Sequence, residues 1–194
     1  MTTRTDETVA APIVPDFGGE DCPLPAEAAS PGQATRRKLA IICSKGNLDM
    51  AYPGLILGNA ALGEGIETHL FFTFWGLDMV TRGRMESLKF NPLGNTAMHF
   101  VQAPKMPIPA LAGAIPGMTG MATKMMRKQI ADLEVPTVPE LLEQIVEMGG
   151  HLWACRMSFD MMNLNEADLF DGVEAVISAT DFMELSEGAQ IIFV

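Results

Sequence analysis

The chain has 194 residues, of which 48% are hydrophobic and 19% charged, as expected for one folded domain with a sizeable core. Its formal net charge is -11, which argues against nucleic acid as a partner, because phosphate binding requires a basic surface. Three cysteines do not suit a secreted disulfide framework, and the first residues lack the apolar core of a signal peptide. We therefore expect a protein of the reducing cytoplasm.

Residues 1–36 are rich in proline, alanine, glycine and acidic residues and show no apolar periodicity, which predicts a disordered tail. The predicted domain spans 37–194. Its elements follow in chain order: a strand at 38–43, a helix ending near Leu62, a strand at 66–74, an irregular Met- and Pro-rich segment at 91–128, a helix capped by Thr137 and Glu140, a strand at 151–155 followed by a helix, a strand at 172–178, a short helix, and a strand at 189–194.

Strands and helices alternate along the domain, and the strands are continuously apolar. That pattern is typical of a parallel sheet covered by helices on both faces. With right-handed crossovers it predicts a doubly wound α/β domain of about five strands, for which we expect the strand order 2-1-3-4-5.

Two cysteines end strands of this sheet. Cys43 ends the first strand and Cys155 the third, and in the expected order these strands are neighbours roughly 4.8 Å apart, so both thiols would share one crevice. Cys155 also precedes a helix, whose free N–H groups lower the pKa of a thiol, and Arg156 adds positive charge. This pattern indicates a nucleophilic thiolate able to carry a persulfide. The alternative is a small buried cysteine without a chemical role.

The loop after the first strand contains Ser44, Lys45 and Gly46. It could present backbone N–H groups to an anion such as a persulfide, or it could be a plain polar turn. It lacks the GxxxxGK[ST] pattern of a nucleotide-binding loop. The three histidines show no metal-ligand spacing and no dinucleotide fingerprint is present, so we predict neither a metal nor a cofactor.

The segments IICSKGNLDMAYPGLILGNAA, FFTFWGLDMV, ALAGAIPGM and HLWACRMSFDMM occur in this order. They resemble the DsrE/DsrF/DsrH-like sulfur-relay family, in its larger branch with a Met/Pro-rich insertion, over roughly residues 37–194. The resemblance implies a flavodoxin-like fold, an oligomer such as a homo-oligomer, and sulfur exchange in the cytoplasm with rhodanese-like or TusA-like proteins. It implies that Cys155 carries the persulfide and leaves Cys43 as a helper at most. Asn163 stands where the family segment often has glycine.

Cys22 lies in the sequence CPLP within the predicted tail. This resembles the CPxP motif of TusA-like carriers, although no predicted strand precedes it here. Cys22 would be a second, mobile sulfur-carrying thiol if the motif works, and an ordinary tail residue if it does not.

Two other functions stay open. Residues 106–123 carry no charge, and they could form a lid, an oligomer contact or a peripheral membrane contact. The protein would then be a non-catalytic binding or assembly module that docks a partner or a membrane surface through this Met-rich segment. A two-cysteine redox protein would instead require a reversible disulfide between Cys43 and Cys155.

Overall fold

The computed structural model describes residues 37–90, 99–100, 103–107 and 117–194. The predicted tail at 1–36, including Cys22, and much of the Met- and Pro-rich segment lie outside these ranges. The elements in chain order are β1 Lys38–Cys43, α1 Leu48–Gly63, β2 Glu67–Phe72, a 3-10 helix at Phe74–Val80, β3 His99–Phe100, β4 Ala103–Pro107, α2 Met118–Asp132, α3 Val138–Glu147, β5 His151–Cys155, α4 Arg156–Met161, β6 Val173–Ile177, α5 Ala179–Leu185 and β7 Gln190–Phe193.

Five of these strands form one parallel sheet, in the order β6-β5-β2-β1-β7. The α/β class and the five-stranded parallel sheet are confirmed. The expected order 2-1-3-4-5 is wrong, because it places the second strand at an edge. In the structure β2 is buried along almost its whole length between β1 and β5, whereas β6 and β7 are the exposed edges.

The connections place the helices on two faces of this sheet. The chain steps from β1 to β2, β5 and β6 in one direction, and right-handed crossovers then put α1, α3 and α4 on one face. The step back from β6 to β7 puts α5 on the other face. The cores agree with this division: Leu55 of α1, Ile145 of α3 and Phe159 of α4 belong to the main core, and Phe182 of α5 belongs to a second, smaller core.

The predicted start of α3 is confirmed. The carboxylate of Glu140 accepts from the backbone N–H of Thr137 at 2.7 Å and from its hydroxyl at 2.8 Å. The segment expected to be irregular up to residue 128 contains the helix α2, in which the buried Thr123 accepts from the Phe90 N–H at 3.0 Å. Within the ranges given above, each helix is too short or too polar to cross a membrane.

Candidate functional site

The thiol of Cys155 lies at the carboxyl end of β5, where the strand turns directly into α4. Cys155 is the last residue of β5 and the N-cap of α4. Only 5% of its surface is exposed, and its side chain packs on the α5 face with Ala40, Phe71 and Phe182. The predicted position between a buried strand and a helix is confirmed.

Two hydroxyl groups from different elements meet beside this thiol. Thr73 follows β2, and Ser158 lies in the first turn of α4; their oxygens are 3.1 Å apart and both residues are buried. These two hydroxyls, with the amide N–H groups of Ser158 and Met157, are the groups that lower the pKa of Cys155. Because β2 and β5 are neighbours in the sheet, the residue after β2 reaches the start of α4.

These donors decide the ionisation of Cys155. Burial is the largest single influence, and it raises the pKa of Cys155 because the thiolate loses water. The hydrogen bonds from Ser158, Thr73 and Met157 together outweigh burial and hold the pKa of Cys155 below its ordinary value of 9.0. More of the thiol is therefore thiolate near neutral pH, and the thiolate is the nucleophilic form.

Phe74, the residue after Thr73, has a left-handed backbone with φ 45°. For a residue other than glycine such a conformation costs on the order of 1–3 kcal/mol. Phe74 is 45% exposed, so its side chain is only partly buried. In this conformation the Phe74 amide N–H donates to the Ser158 hydroxyl oxygen at 2.8 Å.

Cys43 ends β1 at the same edge of the sheet, but the structure does not bring it to Cys155. Because β2 lies between the two strands, their axes are about 10 Å apart, beyond the roughly 4.4–6.8 Å that separates the Cα atoms of a disulfide. The two side chains also belong to cores on opposite faces. Burial raises the pKa of Cys43 to about 12. The expected shared crevice is therefore wrong, since it depended on the wrong strand order.

The loop of Ser44, Lys45 and Gly46 lies at the end of β1 and beside β7. Ser44 donates both its amide and its hydroxyl to the carbonyl oxygen of Val194, each at 2.9 Å. Gly46 packs so tightly against the carbonyl of Trp75 that a side chain there would collide with it. Lys45 is exposed. Both hydrogen-bond donors of Ser44 are therefore bound within the chain. The anion site in this loop stays a prediction.

Arg156 turns away toward the edge of the sheet. Its guanidinium donates to the carbonyl oxygen of Val176 at 3.0 Å and lies 5.8 Å from the centroid of the Phe159 ring. The groups that lower the pKa of Cys155 are instead Ser158, Thr73 and Met157. A substrate-binding role for Arg156 remains a prediction.

Thr73, Ser158 and the backbone amide of Phe74 were not predicted from the sequence. A signal was present for the first two, since each is a lone hydroxyl residue among apolar neighbours, in FFTF and MSF, at the end of a predicted strand or the start of the next helix. The conformation of Phe74 has no such signal, because phenylalanine rarely adopts positive φ. Among the described residues, three or more His, Cys, Asp or Glu side chains nowhere come together as a metal site.

Comparisons with known sequences and structures agree with the fold described above. Residues 35–193 match the model of the DsrE/DsrF/DrsH-like family. The chain is 38% identical over 147 residues to sulfur carrier protein DsrE2 of Allochromatium vinosum, across 76% of this chain and 91% of that protein. It is 28% identical over 168 residues to the uncharacterized protein YrkE of Bacillus subtilis, across 81% of this chain and 97% of that protein.

Among solved structures, the ychN protein from E. coli superimposes with a TM-score of 0.50 and 11% identity, covering 81% of this chain and 99% of its own. That similarity concerns the fold alone. The family model spans nearly the whole of the domain, and the 38% identity extends over most of it. The chain belongs to the DsrE/DsrF/DrsH-like family.

Proposed function

We propose that this protein is a sulfur carrier that holds sulfane sulfur as a persulfide on Cys155 and relays it between partner proteins of sulfur metabolism in the cytoplasm. The observation that carries the proposal is the set of hydrogen-bond donors around Cys155, which lowers the pKa of a thiol that burial alone would keep protonated. A relative 38% identical to this chain is named a sulfur carrier protein, which supports the same role.

The chemistry requires a nucleophilic thiolate and two transfers. The Cys155 thiolate attacks the outer sulfur of a donor persulfide R–S–SH, the donor S–S bond breaks, and R–S⁻ leaves with the bonding electron pair. Cys155 then carries –S–SH. An acceptor thiolate attacks that outer sulfur, and the Cys155 thiolate is released as the leaving group. A low thiol pKa helps both transfers, because it supplies thiolate in the first and a good leaving group in the second.

The exposed methionines beside the buried thiol favour proteins as sulfur donor and acceptor. Cys155 is buried, whereas Met157 and Met161 on α4 are more than half exposed, at 59% and 52%. Exposed methionines suit adaptable contacts with more than one partner. We propose rhodanese-like or TusA-like proteins as exchange partners, and a homo-oligomer as the working form, which the family membership supports.

In this proposal Cys43 has no chemical role. Its position on the opposite face and its raised pKa argue against a resolving thiol and against the two-cysteine redox alternative. Cys22 lies outside the described residues, so its role is decided by experiment rather than by geometry.

The test is the mass of each protein after incubation with a protein persulfide donor. The wild type should gain the mass of one sulfur atom, and Cys155→Ser should lose that adduct. Cys43→Ser and Cys22→Ser are the matched controls and should keep it. An adduct that persists in Cys155→Ser at the wild-type level would overturn the proposal. Loss of the adduct in Cys22→Ser alone would move the sulfur site to the tail.

A further inference from the structure

The left-handed backbone of Phe74 calls for an explanation, because phenylalanine rarely adopts positive φ. Phe74 is one of three residues other than glycine with positive φ in the described ranges. Phe74 is 45% exposed, so packing holds its side chain only in part. Backbone strain of this kind concentrates at functional sites, where it fixes a group that relaxed geometry would misplace.

The group fixed here is the amide N–H of Phe74. It donates to the Ser158 hydroxyl oxygen at 2.8 Å, and Ser158 is fully buried. A hydroxyl has one proton to donate and two lone pairs to accept with. Because the Phe74 N–H occupies one lone pair, it favours the orientation in which the Ser158 proton points away from Phe74.

Two acceptors surround the Ser158 proton in that orientation. The Thr73 oxygen is 3.1 Å from the Ser158 oxygen. Cys155 is the N-cap of α4, in which Ser158 is the third residue, and both hydroxyls lower the pKa of Cys155. A thiolate accepts more strongly than a neutral hydroxyl, because charge strengthens a hydrogen bond. The Ser158 proton is thus directed to the sulfur when Cys155 ionises.

We propose that Phe74 is a positioning residue: its left-handed backbone aims its amide at the Ser158 oxygen, which fixes the Ser158 hydroxyl as a donor to Cys155. The role belongs to the backbone of Phe74 and not to its ring. The inference rests on Cys155 being the working thiol. Its test measures thiol ionisation directly, so failure of persulfide loading and failure of this inference are distinguishable.

The experiment compares substitutions that differ in their tolerance of positive φ. Phe74→Gly removes the ring but adopts the left-handed conformation readily, whereas Phe74→Val strongly disfavours it because of its β-branched side chain. The rate of Cys155 alkylation is followed against pH in the full chain, with each cysteine-containing peptide resolved by mass. Trp75→Val is the matched control, since Trp75 is a neighbouring exposed aromatic residue, 63% exposed.

Phe74→Gly should stay within about twofold of the wild-type rate at pH 7, and Trp75→Val should do the same. Phe74→Val should be slower by about three- to tenfold, the value of one lost hydrogen bond, with its rate profile moved to higher pH. In a Ser158→Ala background the effect of Phe74→Val should vanish, because the two changes interrupt the same contact.

Equal losses in Phe74→Gly and Phe74→Val would overturn the inference, because they would assign the effect to the ring. So would a Phe74→Val effect that adds fully to that of Ser158→Ala. If circular dichroism shows that Phe74→Val is unfolded, Phe74→Ala takes its place, since alanine disfavours the left-handed region less severely than valine.

Discussion

Trp153 donates its indole N–H to Nδ1 of His69 at 3.2 Å. Nδ1 of His69 must therefore be unprotonated, and Nε2 carries the proton toward the Glu67 carboxylate at 2.9 Å. The ring of His69 also stacks on that of His151, with centroids 4.6 Å apart. Neutral His69 fits this arrangement, whereas a second proton on Nδ1 would face the Trp153 N–H.

This arrangement predicts a loss of stability in mild acid. Burial, the largest influence, lowers the pKa of His69 below its ordinary value of 6.5, although the hydrogen bond that His69 donates to Glu67 raises it. Since the unfolded chain then binds a proton before the folded one does, the contribution of His69 to the free energy of unfolding should be constant well above pH 6.5. It should fall as pH drops from there to the lower folded pKa. Urea unfolding at a series of pH values measures this fall.

His69→Gln is the comparison for that series. Glutamine cannot titrate, so the difference in unfolding free energy between wild type and His69→Gln should shrink as pH falls through this range. A difference that is the same at every pH would show that His69 does not titrate differently in the folded and unfolded chain.

Thr73 is expected to hold the Cys155 thiolate through its hydroxyl. Thr73→Val keeps the shape but removes the donor, so the pKa of Cys155 should rise. Alkylation of Cys155 at pH 7 should slow by about two- to tenfold, with the rate profile displaced to higher pH. Iodoacetamide kinetics with peptide-resolved mass detection measure this.

Thr68→Val is the matched control for that variant. Thr68 is a fully buried threonine of β2, and its hydroxyl donates to the Ile66 carbonyl at 2.9 Å instead of to the site. It should leave the alkylation profile unchanged. A slower rate in both variants would trace the effect to general loosening of β2.

Mild oxidation should not link Cys43 to Cys155. The intervening β2 and the opposite directions of the two side chains keep the sulfurs apart unless the sheet unfolds. Peptide mapping without reduction, in a Cys22→Ser chain that removes the tail thiol, measures the linkage. Appearance of the Cys43–Cys155 disulfide at native pH and temperature would contradict the strand order.

Substitution by alanine should destabilise the folded chain at Gly76 but not at Gly120. A Cβ added to Gly76 would lie 2.7 Å from the carbonyl carbon of Cys43, whereas one added to Gly120 meets no atom within 4 Å. Gly76→Ala should therefore lower the free energy of unfolding by about 2 kcal/mol or more, and Gly120→Ala should raise it by up to about 1 kcal/mol through helix propensity. Equal effects in denaturant titrations would show that the close approach at Gly76 is relaxed.

The local elements of the sheet were predictable because each strand is a short apolar run between turn residues, and HLWAC and KLAIIC coincide with β5 and β1. Strand order was harder, since a strand does not encode its neighbours. The strand sequences carried part of this information. Glu174 in β6 and Gln190 in β7 are polar residues that suit edge strands, whereas the sequence ETHLFF of β2 suits a central strand with a neighbour on each side.

The residues of the candidate site also differ in how far the sequence predicts them. Cys155 was predictable from its position between a strand and a helix, together with the family resemblance. Thr73 and Ser158 each carried a local signal, but their meeting was not predictable, because they lie 85 residues apart and come together only when β2 and β5 pair. Phe74 acts through a backbone torsion, which a sequence pattern does not report. Arg156 was expected beside the thiol, yet its guanidinium donates to the carbonyl oxygen of Val176 on β6.

The small core that contains Cys155 has a consequence for local opening of the fold. It consists of Ala40, Phe71, Cys155 and Phe182 under the short helix α5, separate from the main core on the other face. Small cooperative units open at lower free energy than the whole domain. Detachment of α5 is thus a cheaper route to the sulfur than global unfolding, and amide exchange in α5 should report it. Thiol exposure and global folding stability are then separate properties, which substitutions on the two faces can alter independently.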